Sequence, residues 1–374
     1  MHTVHVTLPT GARDVPDNTV IAELCTEYDT DPGDPVVAAV VNNEVLDLSR
    51  RVRINSRIDP VHLSSEPGIR CYRQSLCFLL ALAVKQTYPQ RRLIIGHSLG
   101  DSYFHYFEDD EGLTDEVLER ISRRMHDLVE ADMAIERRLI SYADASEYFT
   151  TGGLSETAAL LEHRNESRIA VHVCGDFVDI SHGPLVPRTG MLRYFALTAL
   201  QPGFVLRFPS RRNPTALRPY RHSEPLFSIY QEYKEWGRIL GITSVGRLNE
   251  KTVDGSISEF IHVNEALQEK KIADIAGVIA QRRDSVRVAL IAGPSSSGKT
   301  TFTKRLAIQL SAQGLQPHLI SVDDYFVNRE DTPLDEAGNY DFESIHAIDI
   351  ELLNEHLLRI FAGEEVQLPR FDFR

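Results

Sequence analysis

The chain has 374 residues, of which 42% are apolar and 25% charged. That length suits two or three domains, and the composition excludes disordered, collagen-like and coiled-coil classes. Forty Lys and Arg against 54 Asp and Glu leave a formal charge of −14, which argues against a nucleic-acid partner, because neutralising phosphates needs a basic face. The four cysteines, Cys25, Cys71, Cys77 and Cys174, show neither metal-ligand spacing nor a disulfide framework. The longest apolar run, Leu76 to Val84, is about half of the ~20 residues a spanning helix requires. The N-terminus lacks the charged-then-apolar order of a secretory signal. These features predict a cytoplasmic protein with no membrane partner.

In chain order, residues 1–63 read as a β-grasp module. Val4, Val6 and Leu8 alternate with polar residues, Thr10-Gly11 supplies a turn, and Asp17-Asn18 caps a short helix through Cys25. A buried strand is expected at Val36 to Val41 and a closing strand near Asp59 to Leu63. Residues 70–205 read as a second, α+β domain. It should hold an apolar helix over 73–86, strands at Arg92 to Ile95 and Ser102 to Phe107, an amphipathic helix over Thr114 to Glu130, and further sheet near Arg168 to Val173. Residues 206–284 read as linker and connecting helices. Pro209, Pro214, Pro219 and Pro225 frame a stretch carrying Arg207, Arg211, Arg212, Arg218 and Arg221, a composition typical of connectors. That arginine group reads as a solvated, charged face.

From 285 to 374 the pattern turns α/β. Val286 to Ala292 predicts a buried strand, followed by a glycine loop, a helix to about Ala312 and a second strand at His318 to Val322. The expected fold class is therefore multidomain, α/β plus α+β, ending in part of a doubly wound parallel sheet. About 90 residues are few for such a domain, so it is expected to be incomplete.

The strongest chemical signal is Gly293-Pro294-Ser295-Ser296-Ser297-Gly298-Lys299-Thr300, followed by Thr301. It satisfies G-x-x-x-x-G-K-[ST] between a predicted strand and a predicted helix. The glycines let backbone N–H groups converge on phosphate oxygens, and the helix adds its positive end. Lys299 would reach the β- and γ-phosphates of ATP, and Thr300 would hold Mg²⁺. The second predicted strand ends in Ser321-Val322-Asp323-Asp324, where parallel α/β sheets place ligands. Asp323 there is preferred over Asp324 as general base toward an attacking hydroxyl, although spacing alone does not separate the two, and the other roles for Asp323 are a metal carboxylate or a helix cap.

This region resembles the uridine kinase and phosphoribulokinase family in GPSSSGKTT (293–301), SVDDYF (321–326), NYDFESIHAID (339–349) and EEVQLPRFDF (364–373). The resemblance implies an ATP- and Mg²⁺-dependent nucleoside kinase phosphorylating the 5′-hydroxyl of uridine or cytidine. In it, Asp323 would be the base, Asp341 would contact ribose and Phe371 would lie against the nucleobase. A nucleotide-responsive, RNA-associated binding protein and another small-molecule kinase, such as one acting on a sugar phosphate, are the alternatives.

Residues 1–63 resemble a TGS domain, and 70–205 resemble the editing domain of threonyl-tRNA synthetase. The likeness rests on QSLCFLLALAVKQTYP (74–89), LIIGHSLGDSYFHY (93–106), RRMHDL (123–128) and DFVDISHGPLVP (176–187). That domain normally carries HxxxH and CxxxH for hydrolysis. Here the corresponding residues are Phe78 and Leu82, and Ser181 and Leu185, so neither a zinc site nor imidazole chemistry is expected. His182 alone reads as a packed or solvated residue. Gly96-His97-Ser98-Leu99-Gly100 matches G-x-S-x-G, but the aromatic, strand-like Asp101 to Phe107 follows it rather than the helix a hydrolase elbow needs.

Overall fold

A computed structural model describes residues 2–109, 112–335 and 338–372. The chain divides into two compact units, Met1–Val253 and Asp254–Arg374. The division falls inside the 206–284 segment, which the sequence reading treats as one linker.

The first unit opens with strands β1 (Thr3–Leu8) and β2 (Gly11–Pro16), then a one-turn helix α1 (Ile21–Cys25) and strands β3 (Val36–Val41), β4 (Glu44–Leu46) and β5 (Ser56–His62). Their order in the sheet is β2-β1-β5-β3-β4, with β1 and β5 parallel and the other neighbours antiparallel. Alternate residues of β1 are buried, so Val4, Val6 and Leu8 enter a core with Val15, Ile21, Leu24, Ile58 and others. A period of two on a half-buried strand demands this arrangement.

Helix α2 (Glu66–Thr87) follows. The Ser65 hydroxyl accepts from the Gly68 N–H, and proline occupies the first turn, a combination that favours helix initiation. The helix starts seven residues before the predicted one because Cys71 and Tyr72 are also buried. Strands β6 (Leu93–Leu99) and β7 (Ser102–Phe107) form a hairpin, and α3 (Asp115–Glu130) is capped by Thr114, whose hydroxyl accepts from the Val117 N–H. A three-stranded antiparallel sheet comprises β8 (Glu136–Ser141), β9 (Arg168–Cys174) and β10 (Phe177–Ile180), with α4 (Tyr142–Thr151) and α5 (Ser155–Glu162) between β8 and β9. Strands β11 (Ala196–Leu200) and β12 (Gly203–Arg207) complete a four-stranded sheet ordered β11-β12-β7-β6. Helices α6 (Glu224–Ile239) and α7 (Val245–Val253) end the unit. Its largest core runs from Val37 and Leu63 through α2 and α3 to Phe204 and Phe208.

The second unit holds α8 (Ile257–Gln281), α9 (Lys299–Ala312) and α10 (Ile350–Phe361). Helices α8 and α9 share a small core of Ile272, Ala276, Leu306 and Leu310, with Ile291 packed against it. Here the structure corrects the sequence reading. Residues 286–292 and 318–320 carry no strand assignment, and the predicted parallel sheet is absent among the described residues. Leu290 is 88% exposed and Val288 40%. An apolar run can ask for cover, but a strand exists only where a neighbour supplies hydrogen bonds. No segment of this unit lies alongside these two as a ladder partner among the described residues. No described helix is long and apolar enough to cross a membrane.

Candidate functional site

The 293–301 loop is exposed and leads into α9 at Lys299. Ser296 (φ +58°) and Gly298 (φ +85°) both take left-handed backbone. A serine in that conformation is uncommon, and alternating left- and right-handed residues turn successive N–H groups toward one point, forming an anion-binding concavity. A Cβ at Gly293 would lie 2.8 Å from Ser297 Oγ, a contact that rotation of the serine hydroxyl relieves. Helix α9 has 14 residues and no acidic residue in its first turn, so the positive end of its dipole faces the loop uncompensated. Lys299 Nζ donates to the carbonyl oxygens of Gly293 at 2.8 Å and Pro294 at 3.0 Å. The ammonium is thus already held over the loop, where an entering phosphate would replace carbonyl acceptors with a charged one. Thr300 and Thr301 occupy the same first turn and are exposed.

Asp323 sits in a single 3₁₀ turn, Val322–Tyr325, not at the end of a strand. It is exposed and makes no hydrogen bond or ion pair among the described residues. Its neighbour Asp324 is engaged: Oδ1 accepts from the Phe371 N–H at 3.3 Å. The Phe371 ring packs against Phe326 at 5.6 Å, and Tyr325 is tied to His356 Nδ1 through its hydroxyl at 3.1 Å. Asp341 closes its own turn by accepting from the Glu343 N–H at 3.1 Å. Asp324 and Phe371 are therefore brought together, while no described contact joins Asp323 to the glycine loop.

In the first unit, the positions matching HxxxH fall on one face of α2. Phe78 is 5% exposed and Leu82 fully buried, and Leu185 joins them in the same apolar core. The Phe78 ring meets Phe177 edge-on at 5.1 Å and His172 at 6.3 Å. The Ser181 hydroxyl points along its own loop, donating to the Gly183 carbonyl at 3.5 Å. His182 is exposed in the loop after β10. Where the synthetase-type domain gathers imidazoles around a hydrolytic centre, this chain has close-packed hydrocarbon.

Beside that core lies a buried polar group with no signature in the sequence. Asp47 Oδ1 is 2.9 Å from His172 Nε2 and also accepts from the Leu185 N–H at 2.9 Å. The partners are 125 and 138 residues apart in sequence, so no local pattern could have found them. They pin the β-grasp module to β9 and the loop before Leu185. Replacing Asp47 by alanine orphans both partners, and each buried unsatisfied group costs about 1–3 kcal/mol. Chemical denaturation of Asp47→Ala should show that loss.

The G-x-S-x-G segment is strand through Leu99, and its last residue, Gly100, begins the hairpin turn with φ +59°. Gly96 is required by close approach, because a Cβ there would lie 2.5 Å from the Phe104 carbonyl oxygen. Ser98 pairs with Tyr103 across the β6–β7 hairpin, and its hydroxyl reaches only the adjacent His97 Nδ1, at 3.4 Å. No helix follows it, so the strained elbow that exposes a hydrolase nucleophile is not built.

No protein-family model matches the chain. Comparison with curated proteins finds threonine–tRNA ligases. The enzyme of Geobacter sp. strain M21 is 30% identical over 201 residues, 54% of this chain and 32% of the ligase. That of Methylococcus capsulatus is 32% identical over 195 residues, 51% of this chain and 30% of its own length. That of Carboxydothermus hydrogenoformans is 28% identical over 222 residues, 59% and 35% respectively. The similarity lies in the N-terminal, synthetase-like part, and the chain spans about a third of the length of these relatives. This consistent naming overturns the expected nucleoside kinase acting on uridine or cytidine and supports no other small-molecule kinase.

Proposed function

We propose that this chain is a threonine–tRNA-ligase-related protein that binds a nucleoside triphosphate with Mg²⁺ at residues 293–301, and whose synthetase-like half carries out no ester hydrolysis. The loop geometry supports the binding half of this reading. Two left-handed residues and a helix end free of carboxylates together favour an oligophosphate. The backbone N–H groups of Ser295 to Thr300 would hold the phosphates. Lys299 would exchange two carbonyl acceptors for phosphate oxygens, and the Thr300 hydroxyl would face the metal. When bound, Mg²⁺ supplies charge neutralisation for the phosphates.

The second half of the reading rests on the packing of Phe78, Leu82 and Leu185. A hydrolytic centre needs a positioned base and an accessible water, and these side chains offer neither.

Equilibrium dialysis with ATP and Mg²⁺ tests the first half. Charge-assisted hydrogen bonds are worth about 1.5–3 kcal/mol, so Lys299→Ala should weaken binding by roughly 10- to 100-fold while leaving the circular dichroism spectrum unchanged. Absence of ATP binding by the unaltered chain, or unaltered affinity in Lys299→Ala, rejects the site. Incubation with mischarged aminoacyl-tRNA tests the second half: deacylation above the uncatalysed rate would contradict it.

A further inference from the structure

The proline- and arginine-rich segment after β12 keeps Arg211, Arg212, Arg218 and Arg221 exposed, as a solvated charged face requires, but it is anchored to the fold at several points. Phe208 is buried, packed against Tyr103 at 4.9 Å, with the Arg73 guanidinium 4.5 Å above its ring. Asn213 turns back to bridge Ser210, and Tyr220 packs against the cluster of Phe104, Val205 and Phe227. The segment thereby lies beside the tip of the β6–β7 hairpin and borders an open, solvent-facing groove of about 520 Å³. This size is in the range of small-molecule sites.

The lining is two-sided in character. Phe208 and Tyr220 contribute to an apolar wall, and Arg207, Arg218 and Arg221 provide three cations against the single carboxylate of Asp101. A surplus of positive charge here stands out in a chain of net charge −14. Arg207 is held in place: its Nη2 donates to the Arg218 carbonyl, and its guanidinium sits 5.7 Å from the Tyr220 ring centroid. That is its one hydrogen bond among the described residues, so most of its five donors remain for a ligand. Arg221 makes no hydrogen bond or ion pair among the described residues. Arg218 is engaged by Asp101 at 3.3 Å, both side chains being more than half exposed, and such exposed pairs are weak enough to exchange partners.

We infer that this groove binds a phosphate monoester carrying a flat ring, of nucleoside monophosphate size. Forked guanidinium donors match phosphate oxygens in pairs, and the apolar side of the groove, with Leu99, Leu217, Pro219 and Tyr220, offers contact for a ring. The site lies wholly in the first unit and is independent of the glycine loop.

Isothermal titration of the full chain with UMP and AMP tests the inference. Saturable binding is expected, weakened tenfold or more in Arg218→Gln/Arg221→Gln. Arg211 and Arg212 belong to the same segment but do not line the groove, so Arg211→Gln/Arg212→Gln should bind as the parent does. Lys299→Ala should also bind as the parent does, which separates this site from the loop. Asp101→Asn, which removes the competing carboxylate, should tighten binding severalfold. A short RNA with a terminal phosphate forms a second arm. If it binds more tightly than the free nucleotide, the same chemistry is presented by an RNA end; if more weakly, by the free nucleotide. No binding in either arm, equal losses in the two arginine pairs, or loss in Lys299→Ala would each overturn the inference.

Discussion

Replacing Phe78 by alanine is expected to lower the unfolding free energy of the first unit by about 3–5 kcal/mol, the range for truncating a buried aromatic. Phe78 stands where the synthetase-type domain carries a histidine. Its ring touches Phe177 and His172 and is buried with Leu82 and Leu185. Alanine would leave a void that the surrounding α2 and β10 cannot close, because both are tied into larger cores. Urea unfolding followed by circular dichroism measures the effect. A loss below 1 kcal/mol would mean that the residue is not packed as described. Phe78→His/Leu82→His restores the pattern of the ligase relatives at the level of sequence. It should still give no deacylation, since two imidazoles would enter an apolar core without partners and destabilise it.

The second large effect is a dependence on pH. His105, on β7, is fully buried, and neither ring nitrogen has a hydrogen-bond partner among the described residues. Burial lowers its pKa to about 3, against about 6.5 in an unfolded chain. Because the folded value is depressed, the unfolded chain takes up a proton that the folded chain refuses. Stability is therefore unaffected above about pH 6.5 and falls as pH drops below it, by about 1.4 kcal/mol per unit. The contribution lost at pH 5 is about 2 kcal/mol by the same relation. In His105→Leu this part of the acid sensitivity should disappear, leaving a flatter profile between pH 6.5 and 4. Identical slopes for the two proteins would show that His105 protonates in place. Asp179 acts in the opposite sense, since burial raises its carboxyl pKa and acidification relieves a buried charge. The comparison between the two proteins removes that shared contribution.

Local pattern carried a good deal of this molecule. The alternation of Val4, Val6 and Leu8, the Thr114 cap and the spacing of Gly293, Gly298 and Lys299 are short-range features. Each has its physical reason within one turn or one strand; the β1 alternation and the Thr114 cap take the conformation their sequence implies, and a helix starts at Lys299, though no strand precedes the glycine loop. The identities of Phe78, Leu82, Ser181 and Leu185 already precluded imidazole chemistry at those positions.

Other features depended on what lies across the fold. The apolar runs at 286–292 and 318–322 resemble buried strands, yet a ladder needs a neighbouring backbone, and the second unit provides none among its described residues. The contact of Asp47 with His172 and Leu185 joins residues more than a hundred positions apart. The burial of His105 without a hydrogen-bond partner among the described residues and the placement of the arginine segment along a groove likewise follow from chain placement rather than composition. Residue chemistry and near-neighbour geometry were determined by the sequence itself. Strand pairing, burial and the convergence of charges were decided only by tertiary structure, because each depends on distances between segments that the local chain does not encode.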